Sequence, residues 1–426
     1  MTKKMELREE MVMDFSAVNT VWVLVGAALV FFMQAGFCIL ESGLTRAKNA
    51  GNITMKNLMD FVLGSIFFFV IGFAIMFGKD AGGFIGTTGF FDTYGLADAK
   101  GMFHGLPIGV FMIFHTVFCA TSATIVSGVM AERTKFSAYL IYSAAISVFI
   151  YPVTGHWIWS DGWLSGLGFH DFAGSTAVHM VGGVCAFIGA AVVGPRIGKF
   201  DKDKKPQAIP GHNIIIGALG VFILWFCWFG FNCGSTTGAA TSLGDIAMTT
   251  NLAAVVSTVT VLFLTWFRYG KPDVSMTLNG SLAGLVAITA GCDVVSPYAA
   301  MAIGLAAGFL VVFIVELLDK VLKVDDPVGA VAVHCGCGAM GTVLTGVFVK
   351  SSVLADWGMS RMQFLGIQVL GVVSVIAYVA VCAFVLFTVL NKTMGLRVTA
   401  EEEIEGLDMH EHGMSAYANF RLHDDR

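Results

Sequence analysis

The sequence predicts an all-α polytopic membrane protein with eleven transmembrane helices, and three observations carry that reading. Apolar residues make up 56% of the 426 and charged ones only 13%, about half the charged share of a soluble globular chain. Mean hydropathy is +0.77. The apolar residues gather into eleven stretches, most of them of the roughly 17–25 residues that a bilayer requires. The same composition excludes a disordered chain. A net charge of −5 without an extended basic run excludes nucleic-acid binding, and nine cysteines in 426 residues exclude a disulfide scaffold.

In order, the stretches are about 19–40, 57–78, 104–130, 137–153, 172–194, 213–234, 247–267, 274–291, 298–319, 328–349 and 362–391. The fourth is short because it stops at Tyr151-Pro152. The first holds no small-residue cleavage site, so it reads as a retained span behind an external segment, 1–18. Positive charge sets the orientation. Only Lys3, Lys4, Arg8, Lys79, Lys100, Lys350 and Arg361 fall outside if the N-terminus is external, leaving 18 of the 25 Lys and Arg inside. This gives N-out, C-in, with an acidic cytoplasmic tail at 392–426. The cysteines lie almost entirely within spans, where a free thiol packs as a small hydrophobe, and no disulfide is expected.

One pattern occurs twice. Asp171 to His179 reads D-F-A-G-S-T-A-V-H, and Asp326 to His334 reads D-P-V-G-A-V-A-V-H. Five spans separate the copies, so they enter from opposite faces. This is the signature of an inverted repeat, with halves at about 19–194 and 213–349 and the eleventh helix, 362–391, added. Each Asp, eight residues before its His, is placed to cap its helix and answer the N-terminal dipole. Each His then falls towards mid-membrane, where an ionisable group is costly. Two neutral imidazoles meeting there can share a proton.

At these residues the chain closely resembles the ammonium transporter (Amt/Mep/Rh) family, specifically its prokaryotic Amt branch. The resemblance extends over A-G-F-C-I-L-E-S-G-L-T-R-A-K-N (35–49), G-V-M-A-E-R (128–133), the two His motifs, W-F-G-F-N-C-G-S (228–235), G-L-V-A-I-T-A-G-C (284–292) and the tail 395–413. It implies a homotrimer with one pore per subunit, conducting ammonium or ammonia and accepting methylammonium. Carried over residue by residue, it implies an external recruitment site at Phe118, Trp159 and Ser235, supported from behind by Asp171. A gate of Phe118 and Phe231 lies below. Trp228, His179, His334 and Thr289 line the pore beneath it. It also implies an inner, plasma-membrane location and a PII-type regulatory protein docking at the cytoplasmic face, with the tail packed under the trimer.

The chemistry of these residue types agrees. Aromatic faces hold a small cation by about 0.5–2 kcal/mol each, and a serine hydroxyl adds an acceptor. Beyond the cage no acidic ring stands ready to carry a charge through the membrane. Ammonium escapes that cost by losing a proton, whereas potassium has none to lose. Trp159 alone reads first as an interfacial anchor, and any single Phe among 36 as packing.

His115 stands where the family often carries Gln. It either faces the outer vestibule or sits at a contact between subunits. The run H-C-G-C-G at 334–338 makes a poor chelate, because consecutive helical residues point apart. No metal and no cofactor is expected, and the chain is not read as an enzyme. Two other readings compete with transport. One is an ammonium sensor signalling through cytoplasmic partners with little flux. The other is an Rh-like pore for neutral gas, against which the cation cage argues.

Overall fold

The computed structural model describes residues 3–417, with side chains from Ala17 onward. The end of the expected tail, 418–426, lies outside the described residues, as do the first two residues of the expected external segment. Helix α1 spans Lys3–Leu44, of which Ala17–Leu44 is apolar enough to cross a membrane. Then follow α2 (Ala47–Phe77), α3 (Ile108–Val129), α4 (Phe136–Leu167), α5 (Ser175–Val193), α6 (Ile214–Gly234), α7 (Leu243–Tyr269), α8 (Val274–Ile288), α9 (Pro297–Leu322), α10 (Val331–Phe348) and α11 (Arg361–Thr393). Among the described residues ten of these have spanning length, while α8 is apolar but only 15 residues long. The chain is thus a multi-pass membrane protein.

Three boundaries differ from the sequence expectation. The fourth helix does not stop at Pro152. A π-helical turn, Ile146–Ile150, precedes it, and Pro152 opens the next α-helical run, Tyr151–Trp159. At the start of that run the proline's missing N–H is tolerated. The third helix starts at Ile108, because Met102–Phe103 and Leu106–Pro107 pair as a hairpin. Its two-residue turn, His104 and Gly105, takes positive φ at both positions, as such turns require. The second helix starts at Ala47, so Lys56 lies in mid-helix and wholly buried rather than in an inner loop. It donates to the Ser127 carbonyl at 3.0 Å.

The two halves meet through glycine. On α1, Gly43 lies against Gly217 of α6, Gly36 against Leu224 and Gly26 against Gly234. This pairing runs antiparallel, as inversion demands. A Cβ at Gly43 would sit 2.4 Å from the Gly217 nitrogen, so only glycine permits the approach. Small residues let helix backbones close up where lipid supplies no hydrophobic drive.

Most loop cations converge on one face with the tail. Glu132 accepts from Arg46 and, at 3.0 Å, from Arg196. Arg196 also forks onto Asp325. Arg397 pairs with Glu403 at 2.6 Å, and Lys48 donates to tail carbonyls. Asp408 receives the backbone N–H of Gly51 and Asn52 at the start of α2. Burial opposes ionisation of Asp325, but Arg196 and Arg133 outweigh it and hold its carboxyl at about 2. A depressed carboxylate stabilises the fold fully above its unfolded value of about 4, and loses that contribution as pH falls through the folded one. Thermal unfolding in detergent is therefore expected to show no change from Asp325 between pH 8 and 5 and a falling midpoint below pH 4. Asp325→Asn is expected to flatten that acid limb.

Candidate functional site

The twin motifs fold alike. In each, the glycine takes the left-handed region, Gly174 at φ 116° and Gly329 at φ 78°. A Cβ there would also strike Val178 or Asn279. Asp171 precedes its helix rather than starting it. Its Oδ1 accepts the Gly174 N–H at 3.0 Å, and its Oδ2 accepts those of Thr176 and Ala177 at 2.9 and 2.8 Å. Asp326 repeats this with Val328, Gly329 and Val331. Burial pushes both carboxyls up from the usual range, with the backbone donors pulling the other way.

Both histidines then lie in π-helical turns, Ser175–Met180 and Val331–Gly336. A π turn widens the helix by one residue and is common at functional sites. The two turns interlock: a Cβ on Gly183 would meet the Cys335 backbone, and one on Gly338 the Ser175 carbonyl. The result is a pair of near-parallel rings that meet through their edges: His179 and His334 are inclined at 22° with centroids 5.2 Å apart, and their Nδ1 atoms lie 3.2 Å apart. One Nδ1 must carry the proton and the other accept it, an assignment that follows from the pairing.

Above the pair the aromatic residues form a column. His179 stacks on Trp228 at 4.9 Å and on Phe231 at 5.2 Å. Phe231 stacks on Phe118 at 4.1 Å. All of these side chains are at most 3% exposed, so the stack closes the path. Above Phe118 a vestibule of about 280 Å³ opens, lined by Trp159, Ser235 and His115 among others. Trp159 meets Phe118 edge-on at 6.2 Å. Its indole donates to the Asp171 carbonyl at 2.6 Å. Ser235 spends its hydroxyl hydrogen on the Phe231 carbonyl at 2.9 Å, leaving its oxygen as acceptor.

The residues named from the sequence thus fall along one path, with two refinements of placement. Both carboxylate oxygens of Asp171 are taken up by backbone N–H groups, and its carbonyl positions Trp159. Thr289 accepts the Trp228 indole at 2.9 Å and donates to Leu285, so it orients the pore tryptophan. His115 does face the vestibule. Sequence reasoning passed over its neighbours Phe111 and Phe114. Phe111, Phe114, His115 and Phe118 share one helix face at i, i+3, i+4 and i+7, a periodicity that was there to be read. His104, delivered by the hairpin turn, carries no such signal. Nearby, His170 contacts Asp293 at 3.1 Å. Burial disfavours its charge, but the Asp293 carboxylate outweighs that and raises its pKa.

The chain is thus a helical membrane bundle around a buried aromatic column that ends in paired imidazoles. Residues 21–417 match the Ammonium Transporter Family, and the chain belongs to that family. It is 46% identical to ammonium transporter Amt2 of Archaeoglobus fulgidus, over 95% of this chain and 89% of that one. It is 38% identical to ammonium transporter 1 member 3 of Solanum lycopersicum, over 94% and 93%. Among solved structures it superposes on a sensor Amt protein with a TM-score of 0.89 at 40% identity, covering 93% of this chain and 99% of that one. Candida albicans Mep2 gives 0.82 at 27% identity, over 91% and 88%. The two sequence relatives are ammonium transporters by name.

Proposed function

We propose that the chain takes up ammonium, and methylammonium as its close analogue, across the plasma membrane. The tail face is cytoplasmic, since Lys and Arg concentrate there. Ammonium is recruited in the outer vestibule by the faces of Trp159 and Phe118 and the Ser235 oxygen, which replace part of its water shell. It cannot carry its charge through the dry Phe118–Phe231 stack. Passing a proton to water in the vestibule, which breaks one N–H bond and forms one O–H bond, leaves ammonia to pass the gate and meet His179 and His334, which offer it hydrogen-bond partners.

The observation that carries this reading is the imidazole pair held Nδ1 to Nδ1 directly beneath a stacked gate. The working unit is a homotrimer, each subunit with its own pore. A PII-type protein docking on the tail face, where Asp408 and Glu403 anchor the tail, regulates it.

Trp159→Ala is expected to raise the ammonium concentration for half-maximal uptake about tenfold, the loss of one strong aromatic contact of roughly 1.4 kcal/mol. Uptake by proteoliposomes, read as charge movement and by a pH dye, checks it. An unchanged half-saturation would remove the cage from the mechanism.

A second reading, an ammonium sensor with little flux, is favoured by the likeness to a solved protein bearing that title. Ammonium binding without measurable uptake by the reconstituted parent protein would select it.

A further inference from the structure

Beneath His334 a small cavity of about 20 Å³ holds room for one water-sized molecule. His334, Glu41 and Asn279 are its polar lining, and the rest is apolar. Asn279 and Val328 also line the wide cavity of about 490 Å³ that opens at the tail face. The small cavity is therefore the last chamber between the imidazole pair and the inner mouth. We infer that it is a second ammonium-binding site, with the Glu41 carboxylate as its anionic ligand. This rests on the transport reading given above.

Three features support the assignment. Glu41 is 2% exposed, and its two hydrogen bonds both fall on Oε2, from Asn57 at 3.1 Å and Ser127 at 2.8 Å. Oε1 remains to accept from a ligand. Asn279 donates its amide N–H to the Val328 carbonyl at 3.0 Å, which fixes the amide orientation and leaves its oxygen as acceptor. His334 has Nδ1 turned to His179, so the rest of its ring faces the chamber. Glu41 and Asn279 thus present acceptors to a solute rich in N–H, and His334 adds a polar ring edge.

Glu41 is also held in place from behind. It sits in one buried group with Lys56 and Asp60: Lys56 reaches it through Ser127, and Asp60 is held by Tyr139 and Ser143. Ammonia arriving past His334 can take up a proton here and be held as ammonium before leaving. The proton comes from hydronium in the water of the inner mouth: one O–H bond breaks, leaving water, as one N–H bond forms at the ammonia lone pair.

The test reads the two faces of the protein separately, in vesicles sorted for one orientation by a C-terminal tag. Glu41→Gln preserves the shape and the bonds to Asn57 and Ser127 while removing the charge. For ammonium entering from the tail face, it is expected to raise the half-saturating concentration about tenfold or more, since a hydrogen bond to a charged group contributes more than a neutral one. For ammonium entering from the opposite face, half-saturation is expected to stay within twofold. Asn279→Ser, which leaves Glu41 in place, is expected to shift the tail-face value several-fold and carries the test if Glu41→Gln does not assemble. Tail-face values unchanged in the variants overturn the inner site. If Trp159→Ala shifts the opposite-face value in the same vesicles, only the inner site has failed. If it does not, the outer cage has failed with it; absence of ammonium uptake by the parent protein in these vesicles is what overturns the transport reading.

Discussion

Alanine at Asp171 is expected to remove folded protein and flux together. The carboxylate accepts three backbone N–H groups in a site 3% exposed. Without it those donors are stranded away from water. Each unsatisfied buried donor costs about 1–3 kcal/mol, so the sum approaches the roughly 5–15 kcal/mol that holds a typical fold together. The same segment carries the carbonyl that orients Trp159 and leads into the turn bearing His179. Asp171→Asn keeps one acceptor oxygen and is expected to fall between. The measurement is the fraction extracted as a single species and its thermal midpoint, followed by flux on whatever folds. Asp326→Ala is expected to behave likewise, because its carboxylate makes the same set of bonds at the other end of the repeat. A normal midpoint for either variant would mean that water replaces the carboxylate.

Leucine at both His179 and His334 is expected to spare the fold and lower ammonium flux about tenfold to a hundredfold. Leucine matches much of the imidazole volume, and the pair has few polar obligations beyond itself, its one mutual bond being Nδ1 to Nδ1. The permeating ammonia, however, loses its only polar partners between the gate and the chamber below. An unsatisfied polar group in an apolar passage costs about 1–3 kcal/mol, which raises the barrier by that amount. Flux and charge movement measured on the same vesicles check it. Full flux in the double variant would show that the imidazoles do not face the solute. Loss of charge movement with uptake retained would mean that the pair carries the proton and the apolar path carries the ammonia.

Much of this architecture could be read along the chain. Composition and apolar runs located most helix ends to within a few residues, the start of the second and the end of the fourth excepted, because a bilayer demands a fixed length and tolerates little charge. The misplacements have local causes. Pro152 ended a helix on paper, but a π turn ahead of it let the helix continue. His104 and Gly105 turned a hairpin where a helix was expected to begin. Lys56 looked like a loop cation and is instead part of a buried group with Glu41 and Asp60. A hydropathy scan cannot see that compensation, because it comes from Asp60 one turn along α2 and from Glu41, Ser127 and Tyr139 on three other helices.

The repeated D-x-x-G-x-x-A-V-H pattern placed the twin histidines in inverted halves from letters alone, since a chain that crosses five times must reverse its copy. What the letters could not supply was distance. The 3.2 Å between two Nδ1 atoms depends on two π turns, on left-handed glycines before them, and on glycines that let each turn press into the other. The same holds for Glu41 beneath His334, nearly 300 positions away along the chain. Periodicity records which residues a helix turns inward. Which of them meet is settled by how closely the helices pack, and that depends on every small residue at every crossing at once.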